Sequence, residues 1–222
     1  MSSNPKLEMA CSVCGTRSQH EGIDASSCSY GPRDLDTRPP LPLRTALANL
    51  VLVCPSCGYA ARNLMESDAN VKPVLESPEY RAQMNDESLP PLANRFLCAA
   101  LIADAREQLV YAGWSRVHAA WACDDKDDDV AAGRCRELAL ATFRQAQESG
   151  LSAIEGGPGE SLLLADLLRR AGRFEDAAAE IAKGLAEDPP EMLANIYRLE
   201  AELVEAKDAG AHTVPPVAPA AE

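Results

Sequence analysis

Residues 54–58 read Cys-Pro-Ser-Cys-Gly, and residues 11–15 read Cys-Ser-Val-Cys-Gly. The two residues between each pair of cysteines let both thiols face one point. The glycine that follows permits the left-handed backbone that such a tight turn requires. Zinc in a structural site takes four ligands at the corners of a tetrahedron, and four thiolates fill that arrangement. The two motifs therefore predict one zinc site, formed by Cys11, Cys14, Cys54 and Cys57.

A closed site of four thiolates leaves no position for water or substrate, so we expect a structural role for this zinc. An iron–sulfur cluster or another thiolate-bound metal is the alternative. The 39 residues between Cys14 and Cys54 contain Cys28, which has no CxxC partner. We interpret it as a loop cysteine, with a role as a fifth or replacement ligand as the alternative. We predict that the remaining three cysteines are buried apolar residues of helices: Cys98, Cys123 and Cys135.

Outward from the two motifs, the sequence changes from turn-rich to helical. The apolar run 47–53 predicts a buried strand that leads into the second motif. Periodicity and breaks predict helices at 92–109, 111–123, 129–148, 159–171, 174–187 and 190–207, and a short helix is expected near 79–84. We infer an α+β, mostly α protein. Its predicted parts are a flexible lead (1–10), a zinc-knuckle or ribbon-like unit (11–65), a linker (66–91), a helical domain (92–208) and a disordered tail (209–222).

One stretch of the helical part has the register of a tetratricopeptide repeat, with Pro158 and Pro189 near its two ends. This frame places Gly172 at the turn between two helices, and it places Ala177 where the helices cross. A single repeat cannot bury its own apolar face, so several stacked hairpins are expected. The sequence therefore predicts a tetratricopeptide-like stack on which the zinc unit packs.

Charge and hydropathy exclude some functions. The net charge is −13 over 222 residues, with a net charge of +1 in residues 1–65 and −14 in residues 66–222. An acidic helical part repels nucleic-acid phosphates. The sequence has neither an apolar run long enough to span a membrane nor an apolar signal core. We therefore expect a cytoplasmic protein that does not bind a membrane.

Three other features invite functional interpretations that their patterns do not support. His118 lies at helical spacing from Trp114 and Trp121, which favours a packed side chain over a catalytic one. The acidic run 124–129 lacks the glycine and glutamate of a calcium loop, so we predict a solvated turn that caps the next helix. Residues 156–161 lack the ending of a phosphate loop. We predict no catalytic residue and no cofactor other than zinc.

The segment 34–40, Asp-Leu-Asp-Thr-Arg-Pro-Pro, carries two carboxylates and an arginine on a loop stiffened by proline. Asp34, Asp36 and Arg38 form either a ligand site or internal ion pairs that order the loop. We favour the structural interpretation.

These motifs together resemble a known family. The two CxxCG motifs, the 34–40 segment, Tyr59 after the second motif, the stretch 119–125 and the helices that follow are similar to the bacterial "domain of unknown function 2225" proteins. The resemblance covers most of residues 11–200. It implies a metal-knuckle unit joined to tetratricopeptide-like helices, and it implies no activity. Cys28 and the alanine-rich tail depart from the family pattern.

The leading hypothesis is a zinc-binding scaffold or adaptor that binds a protein or peptide through its helical hairpins. The first alternative is a zinc-ribbon protein that binds nucleic acid. It rests only on scattered arginines, at positions 17, 33, 38, 44 and 62. The second is an enzyme that uses Asp34, Asp36 and Arg38.

Overall fold

A computed structural model of the chain describes residues 6–22, 31–154 and 158–215. These residues are mostly helical, and two small antiparallel sheets lie in the N-terminal part. The predictions for Cys28, for residues 1–5 and for residues 216–222 lie outside the described part of the chain, as do Gly156 and Gly157.

Each sheet is a hairpin of two strands. Strand β1 (Lys6–Ala10) pairs with β2 (Arg17–Glu21), and β3 (Leu52–Val53) pairs with β4 (Ala60–Ala61). The first CxxCG motif connects β1 to β2, and the second connects β3 to β4. A strand therefore leads into each motif and another leaves it, which fixes the position of the two cysteine pairs.

The helices follow in an unbroken series. They are α1 (Val71–Glu76), α2 (Pro78–Met84), α3 (Pro91–Ala105), α4 (Leu109–Asp124), α5 (Asp129–Glu148), α6 (Gly159–Arg170), α7 (Phe174–Ala186) and α8 (Glu191–Glu205). The bounds of α3 to α8 lie within a few residues of the predicted ones, because the caps and breaks are local. The Asp128 side chain accepts a hydrogen bond from the amide of Ala131 at the start of α5, as expected of the acidic turn.

The predicted strand at residues 47–53 is mostly wrong. The structure has a 3₁₀ helix at Leu43–Leu50, and only Leu52 and Val53 are extended. Leu47 and Val51 are both buried, and their spacing of four residues suits one face of a helix. A short apolar run fits a helix and a strand equally well, so periodicity alone does not separate them.

Three segments are more ordered than their sequences suggest. Residues 6–10 form β1 instead of a flexible lead, because β2 supplies backbone partners for them. The linker 66–91 contains α1 and α2. Residues 209–215 run beside the 34–40 segment, where the amide of Leu35 donates to the carbonyl of His212 and the amide of Val214 donates to the carbonyl of Arg33. Such long-range backbone pairing leaves no trace in local composition.

The helices pack as antiparallel neighbours. Helix α4 packs between α3 and α5, and α6, α7 and α8 continue the series. One buried cluster joins Cys11, Val51 and Tyr59 of the N-terminal part to Phe96 of α3 and Phe143 of α5. The metal-binding part and the first helices therefore share one hydrophobic core. This fits the predicted class of a small knuckle unit packed on helical hairpins.

Among the described residues, no helix combines the length and the hydropathy needed to cross a lipid bilayer.

Candidate metal centre and the ionic network beside it

The four predicted ligands meet at one point. The Sγ atoms of Cys11, Cys14, Cys54 and Cys57 all lie within 4.8 Å of one another. The Sγ atoms of Cys11 and Cys57 are 3.7 Å apart, and those of Cys14 and Cys54 are 3.5 Å apart. A disulfide is about 2.05 Å long, so all four thiols are free. The sequence-based choice of residues thus corresponds to a real cluster.

Both motifs have the same backbone conformation. The amide of Gly15 donates to the carbonyl of Cys11 at 2.8 Å, and the amide of Gly58 donates to the carbonyl of Cys54 at 3.0 Å. The glycines have φ values of 76° and 75°, a region that side chains with a Cβ rarely occupy. The repeated turn explains why each motif ends in glycine.

Neighbouring segments hold the two turns together. The amide of Ser12 donates to the carbonyl of Leu64 at 2.8 Å, which joins the first motif to the chain after the second. The Tyr80 hydroxyl on α2 donates to the carbonyl of Gly58 at 2.8 Å. The Tyr59 side chain is fully buried. Helix α2, in the segment predicted as a linker, therefore contributes to the support of the cluster.

The sulfur spacing fits a single metal ion. A zinc–sulfur bond is about 2.3 Å long, so thiolates at the corners of a tetrahedron stand about 3.8 Å apart. The two sulfur–sulfur distances given above, 3.5 and 3.7 Å, lie just below this spacing. A cluster of several irons lies between its thiolates and holds them farther apart. The donor set and its geometry thus suit one thiophilic ion.

The four thiols differ in their surroundings. Cys11 and Cys54 are buried, whereas Cys14 is exposed. The Thr16 hydroxyl lies 3.3 Å from Cys14 Sγ and lowers the pKa of this thiol to about 6 by stabilising its thiolate. Burial raises the pKa of Cys57. A coordinated cation overrides such differences, because it deprotonates its thiol ligands outright.

The 34–40 segment docks onto the helices through its charged residues. Asp36 is 1% exposed. Its carboxylate accepts hydrogen bonds from Trp121 Nε1 at 2.7 Å and from Arg170 Nη1 at 3.0 Å. The Arg38 guanidinium contacts both carboxylate oxygens of Asp125 at 2.6 Å and lies over the Trp121 ring. These charges are therefore satisfied inside the protein, in line with the structural interpretation.

A second set of charges continues this network. Asp124 accepts from Arg136 Nη2 at 2.5 Å and from Arg170 Nη2 at 3.0 Å. Arg170 thus bridges Asp124 at the end of α4 and Asp36 in the loop. Asp124 and Asp125 lie in the run predicted to be a solvated turn, and no sequence pattern singles out Arg170. No spacing rule links residues that are so far apart along the chain.

Three arginines of the N-terminal part lie close to carboxylates. Arg38 pairs with Asp125, and Arg44 pairs with Asp34. Arg17 lies near Glu8 on the surface of the first sheet. These three arginines therefore have carboxylate partners within the chain.

The other predictions about single residues have clear outcomes. Cys98, Cys123 and Cys135 are buried in helices, as expected. His118 packs against the rings of Phe96 and Trp121, with centroid distances of 5.2 and 4.8 Å.

Comparison with known proteins identifies a family but no activity. No curated protein and no solved structure matches the chain. A family model described as "Uncharacterized protein conserved in bacteria (DUF2225)" matches residues 6–198. The match includes both cysteine motifs, the 34–40 segment and almost all of the helical series. The chain therefore belongs to the DUF2225 family of bacterial proteins.

Proposed function

We propose that this protein is a zinc-stabilised interaction module whose helical hairpins bind another protein. The observation that carries the proposal is a surface at the connection between α7 and α8, here called the α7–α8 turn surface and made of Leu185, Glu187, Asp188 and Met192. Leu185 and Met192 are 41% and 54% exposed. A contiguous apolar patch with a polar rim marks many protein–protein contacts, and these four residues would contribute to such a patch.

Charge indicates what kind of partner this surface accepts. The chain carries a net charge of −14 beyond residue 65, and Glu187 and Asp188 are exposed beside the two apolar side chains. Complementary charge accelerates association and disfavours wrong partners. We therefore propose a basic protein segment with apolar side chains as the partner.

Zinc is the proposed metal, and its proposed role is structural. Four thiolates complete its coordination and leave no open position for a substrate. The ion would hold together two hairpins whose strands have only two to five residues each. Its contribution to partner binding is thus indirect, through the fold.

A capture experiment with the intact, metal-loaded chain tests the partner proposal. We expect Leu185→Ser/Met192→Ser to lose a protein that the unchanged chain captures. The matched control is Val130→Ser/Leu138→Ser, which removes two exposed apolar side chains of α5 and should capture that protein fully. Glu187→Lys should also weaken capture, and this defect should become larger as the salt concentration falls.

Equal capture by all variants would place the contact elsewhere on the molecule. Recovery of no protein, with or without the metal, would contradict the proposed function itself. Retention on DNA or RNA that decreases steeply with salt would instead support the nucleic-acid alternative.

A further inference from the structure

A large cavity is lined by residues of the N-terminal part, of α3 and of α4. Its volume is about 810 Å³, and its lining includes Leu50, Arg62, Phe96, Tyr111, Trp114 and His118. Ligand pockets in proteins usually measure roughly 300–1,000 Å³ and are mainly apolar, with a few convergent polar groups. The cavity has the size and the lining of such a pocket, and it is separate from the cysteine cluster and from the α7–α8 turn surface.

The aromatic wall is built by one face of α4. Tyr111, Trp114 and His118 are separated by three and four residues, so they project from the same side of the helix. Trp114 Nε1 donates to the carbonyl of Ala153 at 3.0 Å, which fixes the indole in place. The His118 ring packs among the rings of Phe96, Trp114 and Trp121. These side chains form a preformed surface for a flat apolar group.

Two polar groups of the wall have no partner in the described part of the chain. Neither ring nitrogen of His118 is hydrogen-bonded there, and burial lowers the pKa of this residue to about 4. The imidazole is therefore neutral, and it offers one donor and one acceptor. The guanidinium of Arg62, an exposed residue of the lining, makes no ion pair with a described carboxylate.

Nearby arginines influence the titratable rings of the wall. Arg62 and Arg38 are the charges that act on His118, and both lower the pKa of its imidazole. Arg62 and Arg106 act on Tyr111 in the same direction. Glu107 also lines the cavity. An anion in contact with the Arg62 guanidinium would be attracted by its charge.

We propose that this cavity binds a small amphipathic anion, with an aromatic or branched apolar body against α4 and a carboxylate at Arg62. The neutral His118 imidazole would donate a hydrogen bond to the ligand. The proposal is independent of the partner-binding function, because it uses different residues.

Fluorescence with two matched probes tests the proposal on the intact, metal-loaded protein. The anionic probe is 8-anilinonaphthalene-1-sulfonate, and the neutral one is N-phenyl-1-naphthylamine, which has the same aromatic body. We expect one saturable site with energy transfer from tryptophan. Competition by 2-naphthoate should exceed competition by the neutral 2-naphthylmethanol.

Variants separate the roles of charge and shape. Arg62→Gln should lower the affinity for the anionic probe by roughly twofold to fivefold, the range of an exposed ion pair. Its affinity for the neutral probe should stay unchanged. Arg95→Gln, which removes an exposed arginine outside this cavity, should change neither. Val110→Trp, which fills the cavity, should abolish binding of both probes. If circular dichroism shows that Val110→Trp does not fold, Leu151→Trp at the exposed rim serves as the cavity-filling variant instead.

The results that would overturn the proposal are specific. They are no saturable binding, binding at several sites that the cavity-filling variants leave unchanged, or equal effects of Arg62→Gln on both probes.

Discussion

At the scale of single residues, the most unusual arrangement is a pair of carboxyl groups that share one arginine. Arg169 donates to Asp166 at 2.5 Å and to Glu200 at 2.9 Å, and all three side chains are buried. Asp166 Oδ2 and Glu200 Oε1 have no hydrogen-bond partner in the described residues. One guanidinium charge opposes two carboxyl groups, so a proton retained by Glu200 would relieve their repulsion and let its hydroxyl donate to Asp166.

The pKa of Glu200 agrees with this assignment. Burial, followed by the charge of Asp166, raises it to about 8 from an ordinary value of 4.5. The folded protein then binds more protons than the unfolded chain between these two values. The contribution of Glu200 to stability is therefore complete below about pH 4.5, and it is lost as the pH rises towards 8.

We predict that the stability of Glu200→Gln, relative to that of the unchanged protein, increases steadily as the pH rises from 5 to 8. The neutral amide keeps a donor for Asp166 and has no proton to lose. The difference in unfolding free energy should change by at most about 1.4 kcal/mol per pH unit. Urea unfolding at several pH values measures it.

Glu202→Gln, on the exposed side of the same helix, is the control and should give a flat difference. A flat difference for Glu200→Gln as well would show that Glu200 is ionised in the folded protein at pH 7.

At the scale of the helices, packing depends on glycines that let neighbouring helices approach. Gly184 of α7 faces Tyr197 of α8, and a Cβ at this position would collide with the phenol ring. Tyr197 is fully buried, and its hydroxyl donates to the carbonyl of Pro158 at 2.6 Å. The ring therefore has no room to move aside. The exposed turn that carries the proposed interaction surface connects these two helices.

We predict that Gly184→Ala destabilises the protein by about 1–3 kcal/mol, the usual effect of overpacking. Gly133→Ala is the matched control within α5, where an added Cβ meets no atom within 4 Å. Alanine favours a helix over glycine, so this control should be neutral or stabilising by up to about 1 kcal/mol. Urea unfolding midpoints compare the two variants. A stabilising Gly184→Ala would contradict the close crossing of α7 and α8.

At the scale of the whole molecule, the metal site and the helices form one structure. Cys11 and Cys54 belong to the same buried cluster as Phe96, Phe143 and Leu164. The network of Asp36, Arg38 and Arg170 adds a second connection between the N-terminal part and α6. Loss of the ion should therefore weaken more than the two small hairpins.

We predict that the purified protein holds about one equivalent of zinc and that chelation destabilises it as a whole. A ligand at a thousand times its dissociation constant adds about 4.1 kcal/mol to stability, so removal of a tight ion should lower the unfolding temperature markedly. Elemental analysis and thermal unfolding measure both effects, and visible absorption would reveal iron. Cys54→Ser should lose the metal, whereas Cys28→Ser should retain it. Full zinc occupancy in Cys54→Ser would contradict the site.

The positions of the cysteine site and of α3 to α8 were predictable, because the signals for both are local. A CxxCG turn determines its own backbone, and helix ends follow from caps and breaks a few residues away. The strand predicted at 47–53 failed because a short apolar run carries no such signal. The order of residues 6–10 and 209–215 was not predictable, because their backbone partners lie elsewhere in the chain.

Only the folded chain reveals the contacts that give the molecule its other features. Asp36 meets Trp121 and Arg170 across 85 and 134 residues, and Arg62 reaches the wall formed by α4. Composition and spacing describe a residue and its neighbours along the chain. Burial of a carboxylate, or the opening of a cavity, depends on which distant segments pack together. The free energy of the whole fold determines this packing.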